Sequence, residues 1–89
     1  MLWEQFKNTA SQILSDHFAP NLIEDNGDSL VFTDRRSLAS FFVTEDAREI
    51  AIGRYEERNT IGMFFTSPSI ELATIALTLL ARAGLGKLV

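Results

Sequence analysis

The sequence contains no cysteine, which excludes a disulfide scaffold, a thiolate nucleophile and a thiolate metal site. Its single histidine, His17, excludes a multi-histidine metal centre, and its place near the C-terminus of the first predicted helix reads as packing or capping. Positive charge is scarce: eight Lys and Arg against twelve Asp and Glu leave a formal net charge of −4. Typical nucleic-acid binders have the opposite balance, so no nucleic-acid partner is expected. Long apolar runs are also missing. The most apolar stretch, Ile70 to Leu80, is interrupted by Glu71, Thr74 and Thr78 and is too short to span a bilayer. The N-terminus MLWEQFKNTA has no positive region followed by an apolar run, so it does not read as a leader. A cytoplasmic protein with no membrane partner is the expectation.

What is present describes a folded domain. The 89 residues are one domain's length, and 46% hydrophobic with 22% charged residues argues for a packed core and against disorder. The acidic residues are unevenly spread. Residues 1–34 carry Glu4, Asp16, Glu24, Asp25, Asp28 and Asp34 against Lys7 alone. Such a lobe could meet a basic partner, or serve only as a solvated surface.

Trp3, Phe6, Ala10, Ile13 and His17 recur at spacings of three and four, with polar residues between, and predict a first helix over about residues 2–18. Pro20 stops it. Asn26-Gly27 is a turn signal between Leu22-Ile23 and Leu30 to Thr33, which could form a short hairpin. Asp34 to Ser37 reads as a second turn, Leu38 to Thr44 as a strand, Glu45-Asp46-Ala47 as a third turn, and Glu49 to Glu56 as the next strand. Ser67-Pro68 is the expected start of a last helix, with Ser67 as N-cap, and Gly84 its stop. That helix is apolar over most of its circumference and should be covered on more than one side, by the sheet and by the first helix. The fold class is therefore α+β: an N-terminal helix, an antiparallel sheet of about four strands and a C-terminal helix packed on it, in a single domain.

The polar stretch RYEERNT, residues 54–60, separates two strand-like runs. With Arg58-Asn59 at the tip, Arg54 faces Met63, Ile52 faces Phe65 and Ile50 faces Ser67, which gathers Ile50, Ile52, Ile61, Met63 and Phe65 on one face. On the other face Tyr55 meets Gly62 and Gly53 meets Phe64, an aromatic ring over a glycine each time. Glu56 and Glu57 then point to opposite faces and cannot act as a paired general acid and base. Phe41 and Phe42, being consecutive, join one face each. Whether the first helix covers the second face or leaves it open as an interface is undecided by these residues.

No other segment carries chemistry. Asp25-Asn26-Gly27-Asp28 lacks the spacing of a calcium loop, and Gly84-Leu85-Gly86-Lys87 follows a helix where a phosphate loop would precede one. Arg35 and Arg36 read as a solvated turn. No catalytic set, cofactor or metal is expected.

Residues 28–84 resemble small actinobacterial immunity proteins, the family that neutralises secreted toxins, including the NAD-degrading necrotizing toxin class. The features shared are the strand ending in Arg54 with Glu56-Glu57-Arg58, the strand Met63-Phe64-Phe65, the helix start Ser67-Pro68-Ser69-Ile70-Glu71 and the glycine after the last helix. The resemblance implies a non-enzymatic inhibitor that docks on a toxin domain and blocks its active site. Contact residues are then expected at the acidic loop and hairpin ends: Glu24, Asp25, Asp28, Arg54, Tyr55, Glu56, Glu57 and Arg58. The alternative expectation is a homo-oligomeric structural or adaptor protein, a homodimer for example, that uses the second sheet face.

Overall fold

A computed structural model describes residues 2–35, 39–55 and 61–83. Helix α1 spans Leu2–His17, and a short 3-10 turn, Pro20–Leu22, leads into the sheet. The strands are β1 (Ile23–Asp25), β2 (Ser29–Thr33), β3 (Ser40–Asp46), β4 (Glu49–Tyr55) and β5 (Ile61–Ser67), followed by helix α2 (Ile70–Ala83). All neighbours are antiparallel and the spatial order is β1-β2-β3-β4-β5, a meander. The α+β class holds, with five strands where about four were expected. The short hairpin around Asn26-Gly27 is present: β1, only three residues long, pairs with β2.

Period-two alternation splits the sheet into two unlike faces. Ile50 and Ile52 of β4 lie in register with Val43, Phe41, Leu30 and Phe32 on one face. These residues form one buried cluster with Trp3, Phe6, Ala10 and Leu14 of α1 and Ala73, Leu77 and Leu80 of α2. Both helices therefore cover the same face. The other face carries Ser29, Val31, Thr33, Ser40, Phe42, Thr44, Ala51, Gly53 and Tyr55, and no described helix lies over it. Phe42 is nonetheless buried. Its ring packs against Tyr55, with centroids 5.1 Å apart, and lies so close over Gly53 that a Cβ there would meet Phe42 Cζ at 2.5 Å. The aromatic-over-glycine arrangement is real, but the ring comes from the neighbouring strand β3. The side chain of Phe64 lies outside the described ones.

The β4–β5 register follows the expected pairing only from Ile50 to Ile52. Ile50 faces Ser67 and Ile52 faces Phe65, but a bulge then shifts the ladder, so Gly53 faces Met63, Arg54 faces Gly62 and Tyr55 faces Ile61. The expected pairs Arg54–Met63, Gly53–Phe64 and Tyr55–Gly62 are thus corrected. Gly53 and Gly62 have no side chains to hold one register, and glycine within a strand commonly marks a bulge. The β3–β4 turn also falls one residue later than read. Ala47 (φ 50°) and Arg48 (φ 65°) are its two central residues, both in the left-handed region that a two-residue type I′ hairpin requires.

Helix α2 starts later than its sequence signal. Ser67 ends β5, and the helix cap is Ser69, whose Oγ accepts the Leu72 amide at 3.2 Å. Ser67 Oγ accepts the Ser69 amide instead, at 3.0 Å. The expected stop at Gly84 lies outside the described residues, as do Arg36 and Gly84 to Lys87. Helix α2 does pack on the sheet and on α1, as expected, yet its third side is open: Leu72, Ile75 and Leu79 are 53%, 56% and 60% exposed.

Candidate functional site

The sheet has two ends. The turns after β1 and after β3 share one of them, because Ser29 pairs with Thr44 and Asp46 pairs with Glu49. Both helices begin there. Helix α1 is pinned to it by Trp3, whose backbone amide donates to Glu45 Oε1 at 2.7 Å and whose indole Nε1 donates to Gly27 O at 2.8 Å. The Trp3 amide is one of the first four of a helix, which lack intrahelical acceptors, so Glu45 acts as a cap supplied from β3. Helix α2 starts there because β5 runs back to Ser67, opposite Ile50.

This arrangement gathers carboxylates from segments far apart in sequence. Glu4, Asp25, Asp28 and Asp46 are exposed at this end, Glu45 and Glu49 are partly buried, and exposed Glu24 sits one step in, on edge strand β1. Lys7 and Arg48 are the cations among these described segments. Two helix N-termini favour negative charge here. Within the pole, Asp25 is the most organised group. Its Oδ1 accepts the Gly27 amide at 2.8 Å, an Asx turn that supports the positive φ of Gly27, and also pairs with Lys7 Nζ at 2.9 Å. The Gly27 amide first, and the Lys7 ammonium after it, hold this carboxyl below the ordinary aspartate value. In contrast, Asp46 and Glu49 stand directly opposite one another in the ladder, a like-charge pair that costs stability.

The contact residues expected from the sequence do not form one cluster. Glu24, Asp25 and Asp28 lie on β1 and its turn, at the acidic pole. Arg54 and Tyr55 close β4 at the other end of the sheet, about 20 Å along the strand from Glu49 at ~3.4 Å per residue. Glu56, Glu57 and Arg58 lie outside the described residues. Arg54 is half-buried on the helix-covered face beside Phe41, and its Nε is buried with no hydrogen-bond partner among the described residues. Tyr55 is 41% exposed on the open face. His17 is exposed and caps: its Nδ1 donates to the Ile13 carbonyl at 2.9 Å, so Nδ1 carries the proton.

Sequence reasoning missed Glu4, Glu45, Asp46 and Glu49 as members of the pole. Glu4 was grouped with an N-terminal acidic lobe, and Asp46 was read as a turn residue. Only the meander, which stacks the β1–β2 and β3–β4 turns side by side, brings them together. Among the described residues no group of His, Cys, Asp and Glu could hold a metal ion, and no helix is long and apolar enough to cross a membrane. The defined class is an α+β domain with two helices on one face of a five-stranded meander and an acidic pole at the turn end. No family model, curated protein or solved structure matches the chain.

Proposed function

We propose that the chain is a non-enzymatic protein-binding module of the immunity or antitoxin kind, which docks on a toxin domain and blocks its active site. The acidic pole carries this reading. The pole's carboxylates, Glu4, Glu24, Asp25, Asp28, Glu45, Asp46 and Glu49 against Lys7 and Arg48, steer the domain toward a basic surface and speed docking. Glu24, Asp25 and Asp28 supply its exposed edge, and the opposed pair Asp46 and Glu49 retains charge where folding alone would favour its removal. Arg54 and Tyr55, about 20 Å away at the other end of the sheet, would lie at the rim of such a footprint, with the pole at its centre.

The test co-expresses the chain with toxin domains encoded beside its gene in a sensitive host. Growth is expected to recover, and the two proteins to co-elute. Reversing the pole with Glu24→Lys, Asp25→Lys and Asp28→Lys together should weaken the complex at least about tenfold, mostly through the association rate, and the loss should shrink in high salt. Unchanged toxicity on co-expression overturns the function. A triple variant that binds as tightly and as fast as the parent overturns the site.

A further inference from the structure

The open side of α2 is a second surface, distinct from the acidic pole. Four large apolar side chains are exposed among the described residues, and three of them, Leu72, Ile75 and Leu79, lie on this one helix. Their spacing of three and four places them on a single stripe, within about 60° around the axis at 100° per residue. The residues that α2 buries, Ala73, Leu77, Leu80 and Ala81, lie on the opposite side. A single exposed leucine needs no explanation, but a contiguous apolar row does.

The charges beside the stripe indicate what covers it. Glu71 and Arg82 are both exposed, and they follow the same border of the row, about 20° apart around the axis, at its two ends. The midpoint between Glu71 and Arg82 and the midpoint between Leu72 and Leu79 differ by one residue, about 1.5 Å along the helix. A two-fold axis through that point therefore satisfies both sets at once. It lays Leu72 against Leu79 of a second copy, brings the two Ile75 side chains together at the centre, and sets Glu71 beside Arg82 of the other copy twice. A parallel arrangement would put these charges on opposite sides of the seam and form neither pair.

We infer that α2 is a homodimer seam, in which two copies pack α2 against α2 antiparallel. Because α2 starts at the acidic pole, this arrangement sends the two poles to opposite ends of the dimer. Their mutual repulsion is small, and both stay open to partners. The three side chains together offer on the order of 200 Å² of apolar surface, taking ~100 Å² for a fully exposed Leu or Ile. That is well under the ~800 Å² per partner of a standard stable interface, so the dimer is weak and concentration-dependent.

Sedimentation equilibrium of the full chain from about 5 μM to 1 mM tests the seam. A reversible monomer–dimer equilibrium is expected. Leu79→Glu should raise the dissociation constant about tenfold or more, with an unchanged thermal melt because Leu79 contributes little to the core. Glu71→Arg and Arg82→Glu should each weaken the dimer by about two- to tenfold, and combining them should restore it, since the swap rebuilds both pairs. A chain that stays monomeric at 1 mM, a dimer indifferent to Leu79→Glu, or a double swap no better than the single changes each overturns the seam. A monomer result also covers the case in which the stripe is occupied by residues 84–89 of the same chain. None of these changes touches Glu24, Asp25 or Asp28, so failure of the seam leaves the partner-docking test unaffected.

Discussion

Single positions show where this fold accepts cost. Ala47 and Arg48 both hold left-handed backbone in the β3–β4 turn, a conformation that disfavours residues bearing a Cβ by roughly 1–2 kcal/mol and suits Asn and Gly. Ala47→Asn, which leaves charge untouched, is expected to stabilise the domain by several tenths to about 1 kcal/mol, seen as a higher urea midpoint with an unchanged slope. Gly53 is the reverse case. A methyl group there would meet Phe42 Cζ at 2.5 Å and the Gly62 carbonyl oxygen at 2.6 Å. The ring can shift, but the strand backbone cannot, so the glycine is required by close approach.

At the level of elements, the boundary between β5 and α2 is set by hydrogen bonding. Ser67, Pro68 and Ser69 together look like a single helix start, and either serine could cap. The sheet decides, because pairing of Ser67 with Ile50 keeps it in β5 and leaves Ser69 to bond the Leu72 amide. Ser69→Ala is therefore expected to cost about 1 kcal/mol. Ser67→Ala removes only the bond from the Ser69 amide, and should cost less. Comparing the two melts checks which serine caps the helix. Both helices and the strand-rich centre were legible from periodicity. The bulge was not, because two glycines facing the same ladder remove the side chains by which a register is read.

Across the whole molecule, charge and pH are linked through the acidic pole. Asp25 has its folded-state pKa lowered, by the Gly27 amide foremost. Its contribution to stability is present in full above the unfolded-state pKa and disappears as pH falls through the lower folded value. Acid unfolding should thus begin within the carboxylate range, and Asp25→Asn should make the stability profile flatter there, by lowering stability at neutral pH while leaving the strongly acidic limit similar. An Asp25 titration by NMR that gives an ordinary aspartate value would contradict the Asx turn and the Lys7 pair as its causes.

The sequence alone determined the composition of the layers: two apolar-faced helical segments, alternating strands, an acidic balance, no thiol and too few histidines for a multi-histidine metal centre. These follow from local periodicity and side-chain chemistry, which need no knowledge of neighbours. It also supplied Glu24, Asp25 and Asp28 as an acidic loop. Only the tertiary structure decided that both helices share one face, that Phe42 buries itself over Gly53 on the other, and that Asp46 and Glu49 join the acidic loop at one pole. It also separated Arg54 and Tyr55 from that pole, and left Leu72, Ile75 and Leu79 uncovered. The physical reason is that these are relations between residues distant in the chain. They depend on strand order and on how much of a helix two neighbours can cover. Local sequence specifies that α2 is apolar nearly all round, but the size of the domain determines that one side of it faces water.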